Sequence, residues 1–379
     1  MTKQNITAPQ RADHVGSYLR PSCLKEARAQ YAEGHITAQQ LEDVKHEAIR
    51  QLVKRQKEAG LRIISDGEYN RAYWHLDFMW GFDGVGHSKG GGVPFHGETA
   101  ALDNTFLVGR IAPKPHHPFI DDFRFLKQFE EEGIRAKLTV PSPAQFFQQF
   151  LIPRNFLATR RIYPTNEALI DDVAHAYQDF IRQFYDAGGC ILQFDDCTWG
   201  AVVGDAAELR YKAVGLALDT IKEQLLTVNN KALEGRPSDL TVTTHICRGN
   251  YHSTYFTSGS YDSVADYVFA RENVDALYLE YDDERSGSFE ALAKVSRDKK
   301  VVLGLITTKT PELEDRETII SRIREASQYI PLKRLYLSPQ CGFASCEIGN
   351  KLTEDEQWAK IALVQDIARE VWGEFSINN

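Results

Sequence analysis

The sequence predicts an α/β protein of the (β/α)8 TIM-barrel class, with a hairpin or lid inserted between strands two and three. Three observations point there. Amphipathic helical stretches alternate with short runs rich in Val, Ile and Leu, the pattern of a parallel sheet. Helical stretches end at glycines such as Gly60 and Gly188-Gly189, each followed at once by a strand-like run. The runs number eight, the count at which such a sheet closes on itself.

Taken in order, the strands fall at residues 12–17, 62–68, 135–140, 190–196, 240–247, 276–281, 300–306 and 334–339. Helical spacing covers 38–59, 167–187 and 206–228, then shorter stretches at 264–272, 289–296 and 317–329, and a last helix at about 354–372. An open doubly wound sheet fits less well, because no Gly-rich dinucleotide turn follows the first strand. The whole chain, 1–379, reads as one barrel domain, with residues 69–133 too long for a strand-to-helix connection. That excursion carries Lys89-Gly90-Gly91-Gly92-Val93-Pro94, which lacks the Gly-Lys-Ser/Thr ending of a phosphate loop and reads as a flexible turn.

Composition excludes several functions. With 42% hydrophobic and 26% charged residues the chain is ordinary for a globular protein. A net charge of −9 with dispersed Lys and Arg argues against nucleic acid as the main partner. The N-terminus has no signal-peptide core and no apolar run approaches the length of a membrane span, so a cytoplasmic protein is expected. Its six cysteines then read as thiols or metal ligands rather than disulfides.

In a barrel of this kind chemistry gathers at the C-terminal strand ends. Strand one ends at His14-Val15-Gly16-Ser17, strand two at Asp66-Gly67-Glu68 and strand four at Asp195-Asp196. Strand five ends at His245-Ile246-Cys247, whose two donors share one side of an extended strand. With Glu280 from strand six and Cys341 beyond strand eight they form a set of nitrogen, sulfur and oxygen donors suited to tetrahedral Zn2+. Simpler readings stand beside this one. Glu280 could be a solvated strand end, Cys341 a packed thiol with Cys346 the reactive one, and His14 a hydrogen-bonding residue of the barrel mouth. Cys190 lies at the opposite end of its strand, and Cys23 and Cys197 have no evident partner.

Six segments, in order, carry a resemblance: His14-Val15-Gly16-Ser17, Asp66-Gly67-Glu68-Tyr69-Asn70-Arg71, Leu192-Gln193-Phe194-Asp195, Thr244-His245-Ile246-Cys247, Leu279-Glu280 and Ser338-Pro339-Gln340-Cys341-Gly342. The chain resembles the catalytic barrel of the cobalamin-independent methionine synthase family, in its short single-barrel form. The resemblance implies zinc held by His245, Cys247, Glu280 and Cys341. It implies that Glu68 and Asp195 hold the amino group of homocysteine, that Ser17 contacts its carboxylate, and that His14 stands near. The implied reaction is methylation of the homocysteine thiol with 5-methyltetrahydrofolate as the donor, Glu280 being the ligand that yields on substrate entry.

The sequence departs from the family at the donor side. Lys309 occupies about the place of a histidine tied to proton delivery, and Pro141-Ser142-Pro143 replaces a Gly-Pro-Val-Thr segment. Lys309 would act as proton donor or as a contact to an anionic tail. Trp199 and Phe146, with Trp74 and Phe147, are candidates to stack on a pterin. The rivals are a methylated corrinoid protein or another small molecule as donor, a zinc barrel hydrolase, and a non-catalytic metal-binding barrel. Two thiolate donors weigh against the hydrolase, and carboxylates at an amino-group site weigh against mere metal storage.

Overall fold

A computed structural model describes residues 6–213 and 217–373. Six parallel strands run in the spatial order of the sequence: Leu138–Pro141, Ile191–Asp196, Thr241–Ile246, Ala276–Glu280, Lys300–Ile306 and Leu335–Pro339. The circuit continues at both edges. Ile63–Ile64 pairs in parallel with Arg135–Ala136, one residue ahead of Leu138. The segment at 12–17 bridges Leu337 through Ala12 and Gly67 through Ser17, both in parallel sense. Backbone bonds from Asp13 N to Leu337 O (2.9 Å) and from Tyr18 N to Gly67 O (3.1 Å) close the ring of eight.

The first two strands are shorter than the sequence suggests. At 12–17 there are only isolated bridges, and at 62–68 only Ile63–Ile64 forms a ladder. Glu68 explains the second case. Gly67 and Glu68 both take positive φ (67° and 61°), which turns the chain out of the strand. A side chain at Gly67 would sit 2.3 Å from Leu52 Cδ2, so the position requires glycine.

The excursion contains two antiparallel hairpins, Asp83–Ser88 with Asn104–Ala112 and Gly92–Pro94 with Thr99–Ala101. Its last part is different. Phe119–Lys127 is an amphipathic helix burying Phe119, Ile120, Phe123 and Leu126 beside Arg135–Ala136, where a barrel helix belongs.

Helices match the periodic stretches best where they are long: Ala38–Glu58, Asn166–Asp186, Arg316–Ala326 and Glu354–Trp372. Thr37 and Thr353 start two of these with full capping boxes. The stretch at 206–228 instead gives Gly204–Ala213 and Leu218–Ala232, and residues 214–216 between them lie outside the described residues. The stretch at 264–272 gives two single turns, and that at 289–296 a 3-10 helix, Phe289–Lys294. Two helices beyond strand three, Pro143–Gln149 and Pro153–Ile162, carry prolines in their first turns, where the missing N–H costs nothing. No helix among the described residues is long and apolar enough to cross a membrane.

Polar side chains inside the barrel set up the mouth above them. Buried Lys137 donates to Gln193 Oε1 (3.0 Å) and His14 O (2.6 Å), with Asp13 at 3.7 Å. Gln193 in turn donates to Asp195 Oδ1 (2.8 Å) and Val15 O (2.8 Å), fixing the carboxylate at the strand end.

Candidate metal centre and active site

Three strand ends bring four donors together. His245 lies in Thr241–Ile246 with Cys247 next, Glu280 ends Ala276–Glu280, and Cys341 follows Leu335–Pro339. Their ligand atoms all lie within 4.8 Å of one another, and all four residues are buried. The chain reaches Cys341 because strand register shifts between Gly304 and Ile306. A Cβ at Gly304 would meet Gln340 Cα at 2.7 Å, so glycine lets the two strands approach there.

The fit to a metal can be tested on the donor atoms. Both ring nitrogens of His245 and both carboxylate oxygens of Glu280 are buried without a hydrogen-bond partner. Four such orphans in one cluster are costly unless something binds them. Cys247 Sγ and Cys341 Sγ lie 3.7 Å apart, and the edge of a zinc–sulfur tetrahedron is about 3.8 Å. The residues fit zinc. Burial pushes the Glu280 carboxyl up to about 8, with the Cys247 charge adding to it. Hydrogen bonds from Cys197 and Cys341 hold the Cys247 thiol well below its ordinary value, and Gly249 N–H donates to the same sulfur at 3.2 Å.

Beside this cluster opens a cavity of about 770 Å³, lined among others by His245, Cys247 and Cys341 and by Ser17, Glu68 and Asp195. Glu68 Oε1 accepts from Thr139 Oγ1 (3.1 Å) and lies 3.5 Å from Arg71 Nη1. Its Oε2 is buried and unpartnered. Glu68 thus pairs with Arg71 and keeps one oxygen for a ligand. The positive φ at Glu68 is strain of about 1 kcal/mol or more, held where the side chain must turn into the mouth. Burial pushes Asp195 up to about 7, against the pull of His245.

The structure separates the remaining candidates. Trp199 and Phe146 do not line the cavity. Trp199 is fully buried and its Nε1 donates to Glu272 Oε2 (3.1 Å). Phe146 packs among Phe82, Phe150 and Tyr177. On the helix Pro143–Gln149 the neighbouring side chain points about 100° away, so Phe147 faces the cavity, as does Trp74. His14 is 2% exposed, bonded through Nδ1 to Tyr18 Oη (2.9 Å), and is not on the cavity wall. Lys309 is off the wall too. Its ammonium bonds Asn250 Oδ1 (3.0 Å), Thr254 O (3.3 Å) and Gly249 O (3.4 Å), tying down the loop after Cys247.

Other residues at the site went unnoticed in the sequence. Cys197 lies on the cavity wall, next in the chain to Asp196, whose carbonyl accepts from Cys247 N–H. The second hairpin of the excursion roofs the mouth: Phe95 packs on Tyr251 and Phe256, and His96 N–H donates to Tyr255 O (3.1 Å). Glu98 pairs there with His252 (2.8 Å) and Lys351 (2.8 Å). No local spacing could have signalled these contacts, because they join segments from about 50 to about 250 residues apart.

A family model for the catalytic domain of cobalamin-independent synthase matches residues 11–93 and 159–369. The chain belongs to this family. It is 43% identical over 373 residues to Bacillus subtilis YxjH, a protein of uncharacterized activity, covering 98% of this chain and 97% of that one. A crystal structure described as a putative vitamin-B12 independent methionine synthase from Listeria monocytogenes superposes with a TM-score of 0.76 at 36% identity, covering 98% of this chain and all of the other. A methionine synthase of Saccharolobus solfataricus is 22% identical over 86% of each chain. Membership makes the protein a methionine synthase-like methyltransferase of small molecules, on a parallel α/β barrel.

Proposed function

We propose that the protein transfers a methyl group to the thiol of homocysteine, forming methionine, at a zinc centre held by His245, Cys247, Glu280 and Cys341. The observation that carries this reading is one cavity whose wall carries three of the four clustered donors, His245, Cys247 and Cys341, together with a buried carboxylate with a free oxygen, Glu68 Oε2. A metal-storage barrel has no use for the second, and a hydrolase has none for two thiolates.

Zinc bound to such donors supplies a centre at which a thiol is held deprotonated at neutral pH, where a free thiol is mostly protonated. The chain's own residues do the rest. Glu68 and Asp195 present anionic acceptors to an α-ammonium, and Ser17, on the same wall, presents a hydroxyl to the α-carboxylate. The hairpin over the mouth shields the reacting sulfur from water. Glu280 is the donor with another partner at hand, since Arg285 Nη2 lies 3.6 Å from its Oε2.

A small-molecule donor fits the roofed cavity of about 770 Å³ better than a corrinoid carried on a protein. 5-Methyltetrahydrofolate is the donor proposed, with Phe147 and Trp74 as its aromatic neighbours in place of Phe146 and Trp199. Lys309 supports this reaction as a brace of the loop at 249–254. Six free cysteines accord with a reducing, cytoplasmic setting.

The test is to incubate zinc-loaded protein with homocysteine and, separately, 5-methyltetrahydrofolate mono- or polyglutamates or methylcobalamin, and to measure methionine. Methionine from the folate supports the reading. Turnover with methylcobalamin alone moves the donor to a corrinoid, and no methionine from any donor overturns the function.

A further inference from the structure

Cys197 is a thiol beside the four-donor cluster that is not a member of it. Strand register explains how it gets there. Asp196 pairs with Ile246 in the parallel ladder, and Cys247 N–H still donates to Asp196 O at 3.0 Å. The next step therefore sets Cys197 opposite Cys247. Both residues face the cavity that Asp195 and His245 also line. Neighbouring strands lie about 4.8 Å apart, inside the roughly 4.4–6.8 Å Cα range that a disulfide spans.

The three thiols differ in access. Cys247 and Cys341 are 5% and 4% exposed and belong to the donor set. Cys197 is partly exposed and lies on the wall of the cavity that opens to solvent. It is thus an uncommitted thiol reached from the cavity, placed to resolve an oxidised sulfur beside it.

We propose that Cys197 and Cys247 are an oxidative modification site: a hydroperoxide joins them in a disulfide that withdraws Cys247 from the donor set. The chemistry balances in two steps. The Cys247 sulfur attacks one peroxide oxygen, the O–O bond breaks, and Cys247 becomes a sulfenic acid with release of water from hydrogen peroxide or of an alcohol from an organic hydroperoxide. Cys197 Sγ then attacks Cys247 Sγ, the S–S bond forms, the S–O bond breaks, and the hydroxyl leaves as water. Two thiols lose two electrons and two protons, and the peroxide is reduced. Only the consequence for zinc rests on the function proposed above. The disulfide itself does not.

The experiment treats the full-length protein, as isolated and zinc-loaded, with hydrogen peroxide. Free thiols are then blocked and peptides mapped without reduction, while a chromogenic chelator reports zinc. The expected result is a loss of 2 Da, a peptide cross-link between Cys197 and Cys247, two of the six thiols lost, and zinc released in step, all reversed by dithiothreitol. Cys197→Ser, checked for folding by circular dichroism and paired with Cys197→Ala, is expected to keep its zinc as isolated and to form no cross-link. In it, peroxide should drive Cys247 to sulfinic acid, a gain of 32 Da. A cross-link of Cys247 to Cys341 in the wild type, no cross-link at all, or zinc missing from untreated Cys197→Ser would each overturn the assignment. A Cys197–Cys247 cross-link in a protein that never binds zinc would uphold the site and remove the metal reading instead.

Discussion

Replacing Glu68 with Gln tests the ammonium site most directly. The substitution keeps the shape and the acceptor that Thr139 uses, and removes the charge at the unpartnered Oε2. Arg71 keeps its bonds to Thr139 O (2.6 Å) and Trp74 O (3.3 Å), so the fold should survive. An ammonium about 3.5 Å from a carboxylate gains about 5 kcal/mol at an effective dielectric of about 20. Both ions give up water on pairing, which leaves a net of about 1.5–3 kcal/mol for such a bond. Homocysteine should therefore bind between about 10- and 150-fold more weakly. Calorimetric titration of zinc-loaded protein measures this, with 4-mercaptobutanoate as the ligand that has the thiol and carboxylate but no amine. Glu68→Gln should shrink the wild-type preference for homocysteine over 4-mercaptobutanoate by that factor, leaving the part that Asp195 supplies, with zinc content unchanged. Unchanged homocysteine affinity, or an equal loss for both ligands, would refute the argument.

Cys341→Ser and Cys247→Ser should each lose most of the zinc, read by metal analysis of the purified variants, whereas Asp195→Asn should keep zinc and lose homocysteine affinity. A full zinc complement in Cys341→Ser would remove that residue from the set. Phe147→Ala should raise the KM for the methyl donor, while Trp199→Phe should leave it alone, since the indole lies outside the cavity; the opposite pattern would restore Trp199 to the site. Burial pushes Glu272 up to about 8, so in the fold it stays protonated where the unfolded chain would ionise. Its contribution is full below about 4.5 and is lost as pH rises towards 8. The Tm advantage of Glu272→Gln over wild type should accordingly grow between pH 5 and 8.5, and a constant difference would contradict this. Gly67→Ala should cost about 2 kcal/mol or more in denaturant unfolding, because the new Cβ meets both a positive φ and Leu52.

Local pattern carried the barrel a long way. The long amphipathic helices and the buried runs at 190–196, 240–247, 276–281, 300–306 and 334–339 reappear nearly as read, because burial on both faces of a parallel strand leaves an unbroken apolar run. Polar residues that interrupt the ends of such runs stand out for the same reason. His245, Cys247, Glu280 and Cys341 were legible as a set on that basis, before any distance between them was known. Short elements were not legible. The turns at Asp262–Ala265 and Val268–Arg271 hold too few residues for a period to show.

What only the tertiary structure decided concerns direction and register. Two adjacent aromatics on one helix face opposite surroundings, so Phe147 reaches the cavity and Phe146 the core. Lys309 bonds oxygens of a loop about 60 residues away and stays off the cavity wall itself, and the hairpin carrying Phe95 and Glu98 lands on a loop about 150 residues on. Cys197 stood in the sequence without a partner, because the register between neighbouring strands is set by packing across the barrel and not by either strand alone. The four clustered donors were written into the chain as residue types at strand ends. The thiol placed beside them was written only into the fold.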